Sequence, residues 1–201
     1  MNILLLGPYK KDFILFLKVQ GDNVFHTNEK IDSKVLLESR YDFIISYGYR
    51  HIINKEVVQF YKDRIINLHI SLLPWNRGAD PNIWSFIDNT PKGVSIHYID
   101  EEIDTGDIIE QKEVNIQNDE TLATSYQKLS YEIENLFKVT WPLIKLGKNN
   151  RFNQTSGGTY HLSSEKKKYE KYLSNGWNTT VKDFLNGIKE DVENGNNKFA
   201  Q

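Results

Sequence analysis

In the stretch NLHISLLPWNRGADPNIW, residues 67–84, an amide and an imidazole stand two positions apart, ahead of a proline and an Arg-Gly pair. Side chains alternate across a strand, so if RIINLHI (64–70) is extended, Asn67 and His69 share one face and Leu68 takes the other. Further on, the loop DEEIDTG offers Asp100, Glu101, Glu102 and Asp104 ahead of Gly106. An amide that donates to a developing oxyanion, an imidazole that moves or shares a proton, and a carboxylate that orients the imidazole suit acyl transfer. No nucleophile accompanies them: the chain has no cysteine, and Ser71 lacks a Gly-x-Ser-x-Gly context. The nucleophile would then be the substrate's own, an amine for example.

Spacing alone leaves other readings open. Asn67 and His69 can equally satisfy backbone groups at a strand end, and an acidic loop can be a solvated turn. His97 alternates with Ile96 and Tyr98 and reads first as a packed residue. Together with His69 and Asp104 it also allows a two-histidine, one-carboxylate metal site, as in a metal-dependent hydrolase or oxygenase. A third reading keeps a binding crevice without chemistry. His26, His51 and His161 stand alone and are read as structural. Trp75 can stack on a base or cap the core, whereas Trp84, inside PNIWSFI, is expected in the core. The Arg77 guanidinium can reach a phosphate or carboxylate through its planar fork, or form a surface ion pair.

Elements that can position these residues follow from the pattern along the chain. NILLL (2–6) ends at Gly7-Pro8 and suits a strand buried on both faces. Helices are expected over KDFILFLKV (11–19), KVLLESR and NKEVVQFYKD (54–63), the last with Asn54 as N-cap. Strands are expected at VFHTN, YDFIISYGYR (41–50) and RIINLHI. This alternation implies a parallel sheet with helices on both faces, which binds ligands at the carboxyl ends of its strands. GVSIHYI (93–99) and DIIEQKEVNI (107–116) read as an antiparallel hairpin that extends the sheet. A long helix should begin near Asp119, with Leu122, Tyr126, Leu129, Ile133 and Leu136 as its apolar stripe and Pro142 ending or kinking it. The polar remainder is expected to be an extended tail with one or two short helices. Its aromatics Tyr160, Tyr169, Tyr172 and Trp177 could pack on their own subunit or across a homodimer. The expected division is a catalytic domain over 1–147 and a C-terminal extension over 148–201.

The chain of 201 residues carries 25 Lys and Arg against 27 Asp and Glu, with no basic footprint for a nucleic acid. No apolar run approaches membrane-spanning length, and MNILLLGPYKKDFILF has neither a basic leader nor a small-residue cleavage site. The cytoplasm is the expected compartment.

Taken together, Asn67-x-His69-x-Ser71-Leu72-Leu73-Pro74, Arg77-Gly78, Gly93-Val-Ser-Ile-His97 and Ile103-Asp104-Thr105-Gly106-Asp107-Ile108-Ile109 resemble the folate-dependent formyltransferase family, most closely over 41–116. The resemblance implies a Rossmann-like α/β fold and transfer of a formyl group from 10-formyltetrahydrofolate to a primary amine. It implies catalytic roles for Asn67, His69 and Asp104: the first two on the tetrahedral oxyanion, the third orienting His69 and relaying a proton. It implies folate contacts at Tyr49, Arg50, Ile52, Ile99, Asp100, Glu102 and Ile103. Trp75, Arg77, Gly78 and Lys10 are then candidates for the acceptor. Methionyl-tRNA and glycinamide ribonucleotide formyltransferases share this core. LPWNRGADPNIWSF, GTYHLSS and GWNTTVKDFL are similar instead to sugar N-formyltransferases. The expected acceptor is therefore a nucleotide-linked amino-dideoxy sugar, dTDP being the first choice of nucleotide, for a surface polysaccharide. No resident metal is expected.

Overall fold

The computed structural model describes residues 1–195. Strands β1 (Asn2–Leu6), β2 (Asn23–Thr27), β3 (Phe43–Ser46) and β4 (Ile65–His69) pair in parallel, with helices α1 (Lys11–Val19), α2 (Ser33–Ser39) and α3 (Lys55–Phe60) as crossovers. After a short strand β5 (Arg77–Gly78) and helix α4 (Pro81–Ile87), β6 (Gly93–Tyr98) and β7 (Ile108–Glu113) add antiparallel strands, giving the order β2-β1-β3-β4-β6-β7. Helix α5 (Leu122–Lys145) follows, then β8 (Tyr160–His161), a 3-10 helix (Glu165–Tyr172), β9 (Ser174–Trp177) and α6 (Val181–Glu193). The mixed α/β sheet expected from the alternation is present, as is the antiparallel hairpin.

Alternation along the strands sorts the core into two layers. Ile3, Leu5, Phe43, Ile45, Ile66, Leu68, Val94 and Ile96 pack with α1, α4 and α5 on one face, where Trp84 is buried as expected. Leu4, Leu6, Ile44 and Ile65 pack with Leu36 of α2 and Val57 of α3 on the other. Asn67 and His69 share the second face with Ile65, since i and i+2 point alike. There the β4–β6 half of the sheet is overlain by loops 70–80 and 99–107 instead of by a helix. That uncovered half is where the polar residues collect.

Several local expectations are corrected. β3 stops at Ser46, because the Gly48 backbone turns at φ 69°. Asn54 occupies the N-cap position of α3, but its side chain makes no capping bond and donates instead to the Ser33 hydroxyl. Pro142 does not end α5, which continues to Lys145. The helix forfeits one backbone bond there, while burial of Trp141 and Ile144 on either side holds the last turn in place. Tyr126 is exposed, and the buried stripe runs instead through Leu122, Ser125, Leu129, Ile133, Phe137, Trp141 and Ile144.

Residues 148–195 pack back on the same molecule. Tyr169, Tyr172, Val181 and Phe184 join the main core, each apolar side chain contributing about 1.5–3 kcal/mol by burial. Tyr160 and Trp177 stay exposed. β8 pairs with β5, so the segment also reaches the loop after β4. Among the described residues no helix is long and apolar enough to cross a membrane.

Candidate active site

Asn67 lies directly opposite His97 in the β4–β6 ladder, and His69 opposite Ser95, so all four share one face. Asp104 closes over them from the 99–107 loop. Its Oδ1 accepts from Asn67 Nδ2 at 3.0 Å and lies 3.4 Å from His97 Nε2. Its Oδ2 accepts from the Gly78 N–H at 2.9 Å and lies 3.6 Å from His69 Nδ1. Both oxygens are thus ringed by nitrogen, with the carboxylate only 11% exposed. Burial acts to raise the Asp104 pKa. Attraction from His69, the close approach of His97 and the Gly78 N–H outweigh it, holding the carboxyl well below the ordinary carboxylate range. At neutral pH Asp104 is an anion, a fixed negative charge set among these nitrogens.

Backbone groups fix the two rings. His69 Nε2 is 3.0 Å from the Asn76 carbonyl oxygen, and His97 Nδ1 is 2.8 Å from that of Tyr98. A carbonyl only accepts, so those nitrogens carry hydrogen and the other nitrogen of each ring is the one that faces Asp104. Asn76 is fully buried, with φ 57°. Asn tolerates this left-handed turn, and its side chain is held by Thr90 and Thr159. Ser95 ties the loop down through the Ser71 carbonyl and the Leu73 N–H. Gly106 lets the acidic loop fold close: a Cβ there would lie 1.9 Å from the Tyr98 carbonyl oxygen.

The remaining candidates divide. Gly78 acts through its N–H on Asp104. The Arg77 guanidinium makes two bonds to Gln154 Oε1, at 2.8 and 3.1 Å. Trp75 is half-buried in the same loop. Lys10 lies apart from the trio, paired with Glu134 at 3.3 Å and seated over the Tyr47 ring. Tyr49 and Ile99 pack into one apolar cluster, which brings the 49–53 and 99–104 segments together, and Lys55 and Gln59 further tie Glu101. Ile52 (77% exposed) and Ile103 (42%) present apolar surface from those two segments, the latter next to Asp104. Arg50, Asp100 and Glu102 are exposed, Asp100 accepting from the Thr105 hydroxyl at 2.7 Å.

Among the described residues no three His, Cys, Asp or Glu groups are placed to hold a metal ion. In the combination first considered, His69 and His97 each commit one nitrogen to a backbone carbonyl. Asn76, Gln154 and Thr159 are the supporting residues that sequence reasoning missed. Asn before Arg-Gly was a readable turn signal; Gln154 had none.

A model described as formyl transferase matches residues 16–139. A methionyl-tRNA formyltransferase of Fusobacterium nucleatum is 36% identical over 140 residues, covering 68% of this chain and 44% of that protein. The chain spans about half the length of the curated relatives it matches. The formyltransferase PseJ from Anoxybacillus kamchatkensis was crystallised in complex with UDP-4,6-dideoxy-4-formamido-L-AltNAc and tetrahydrofolate. It is 50% identical, with a TM-score of 0.89 over 92% of this chain and 97% of that one. A 4-N formyltransferase from Francisella tularensis is 25% identical, with a TM-score of 0.74 over 92% and 86% of the two chains.

Proposed function

The chain belongs to the formyl transferase family, and on that premise we propose that it transfers a formyl group from 10-formyltetrahydrofolate to the primary amine of a nucleotide-linked amino-dideoxy sugar. The observation that carries this reading is the Asp104 carboxylate, an anion held by Asn67, Gly78 and two histidines on one face of the sheet. Half-identity with PseJ along nearly all of both chains supports the sugar over the tRNA acceptor. PseJ holds a UDP-linked sugar formylated at its 4-amino group, whereas dTDP is the nucleotide expected first, so UDP- and dTDP-linked 4-amino-4,6-dideoxy sugars are the two acceptors to test first.

When bound, the folate supplies the formyl carbon. The segments around Tyr49–Ile52 and Ile99–Ile103 would hold it, Ile52 and Ile103 offering exposed apolar surface. Asn67 has two amide hydrogens; one goes to Asp104 and the second is the donor for an oxygen that gains negative charge. Asp104, anionic and oriented, is too weak a base to keep the proton of the attacking amine; it orients His69 and relays that proton through water toward the tetrahydrofolate nitrogen, which departs as its bond to the formyl carbon breaks. His69 commits Nε2 to the Asn76 carbonyl and turns Nδ1 toward Asp104 at 3.6 Å, so that nitrogen is the one left to share a proton beside the developing oxyanion.

The test is incubation with 10-formyltetrahydrofolate and UDP-, dTDP- and GDP-linked amino sugars, with formamide formation followed by mass. One formylated product supports the reading and names the acceptor. Folate binding with no product across the panel would redirect the search to other amines.

A further inference from the structure

We propose that Gln154 is a positioning residue for the Asp104 carboxylate, through which the segment after α5 becomes part of the active site. Gln154 lies outside residues 16–139, the span matched to the family. Its amide nitrogen donates to the Asp104 carbonyl oxygen at 2.8 Å and to that of Gly106 at 2.9 Å. Its oxygen accepts from Arg77 Nε and from a terminal guanidinium nitrogen. Two donors and two lone pairs are everything a carboxamide has, and all four are used.

The geometry explains why this matters to the carboxylate. Asp104 has φ 55°, a left-handed conformation unfavourable for a residue with a Cβ. The turn that this produces aims the side chain back at Asn67 and Gly78. Gln154 grips the backbone carbonyls on both sides of Thr105 and so holds that turn in place. Through Arg77 it grips β5 as well, and the next residue of β5 supplies the Gly78 N–H to Asp104 Oδ2. One side chain therefore sets the distance between the carboxylate and its backbone donor. The same segment steadies His69, since Thr159 accepts from the N–H of Asn76, whose carbonyl faces the His69 ring.

The test uses the full chain with Gln154→Ala and Gln154→Glu. The first removes the grip. The second keeps the Arg77 contact but sets an oxygen against two carbonyl oxygens, so both variants release the loop. The Asp104 carboxyl titration, followed by carbon-13 NMR without substrate, should move up toward the ordinary carboxylate range in both. Turnover should fall about 10- to 100-fold, the scale of a small misplacement of a reacting group. In an Asp104→Asn background, Gln154→Ala should change turnover by less than about twofold, because the effect passes through the carboxylate. An unmoved titration in both variants overturns the proposal, and so does an equal loss of turnover in the Asp104→Asn background. The kinetic arms rest on the formyl-transfer reading. The titration does not, so failure of one is distinguishable from failure of the other.

Discussion

Replacing Asp104 by Asn keeps the shape of the side chain and removes its charge, and the consequences can be worked from the four nitrogens around it. Oδ1 sits between Asn67 Nδ2 and His97 Nε2, Oδ2 between the Gly78 N–H and His69 Nδ1. A carboxylate accepts at both oxygens. A carboxamide accepts at one, and its NH2 must then face either the Asn67 amide or the Gly78 N–H, donor against donor. Flipping the amide exchanges one conflict for the other. The lost bond to a charged acceptor is worth about 1.5–3 kcal/mol, and the donor left unpaired costs about 1–3 kcal/mol. The sum, about 2.5–6 kcal/mol, brackets the roughly 3–5 kcal/mol usual for breaking a buried charged contact. Turnover suffers separately, because the charge that orients His69 and relays the amine's proton is gone, which is worth about 100- to 10,000-fold. We expect turnover to fall about 1000-fold, equivalent to about 4 kcal/mol of barrier. The assay is steady-state formamide production at saturating donor and acceptor, with calorimetric folate binding and a thermal melt confirming a folded variant. A folded Asp104→Asn variant that kept more than a tenth of wild-type turnover would refute the argument that the anion is needed.

Three further outcomes follow from the same geometry. Asn67→Ala should lower turnover by about 100- to 1000-fold with little change in folate affinity, as expected for one lost oxyanion donor; steady-state kinetics with calorimetry checks this. Gly106→Ala should cost about 1–3 kcal/mol and displace the acidic loop, because the new Cβ meets the Tyr98 carbonyl oxygen, and a thermal melt with turnover reads both effects. Asp104 has a depressed pKa in the folded state, so it contributes stability above its unfolded value of about 3.9 and loses that contribution as pH falls through the folded value. The stability gap between wild type and Asp104→Asn, measured by denaturant unfolding, should therefore narrow as pH falls below about 4.

Much of this arrangement was legible in the sequence where the cause is local. Two-residue periodicity placed Asn67 and His69 on one face of β4, and the apolar runs NILLL and RIINLHI marked buried parallel strands. What was not legible depends on contacts distant in sequence. Gln154 meets Asp104 across fifty residues, with nothing in its own neighbourhood to single it out. His97 reads as one more position in an alternating strand until the register sets it opposite Asn67. Pro142 allowed either an end or a kink, and the helix runs on past it to Lys145, with Trp141 beside it buried. Tyr169 and Tyr172 stood out as aromatics in EKKKYEKY, but among so many lysines nothing local set them apart from Tyr160 and Trp177, which stay exposed.

The most direct test of the central claim is to supply 10-formyltetrahydrofolate labelled with carbon-13 at the formyl carbon, together with UDP- or dTDP-linked 4-amino-4,6-dideoxy sugar, and follow the label by NMR. Movement of the label into a sugar formamide, at a rate that collapses with Asp104→Asn, is the predicted result. Label that stays on the folate or appears as free formate, with the same pattern in wild type and Asp104→Asn, would contradict the account.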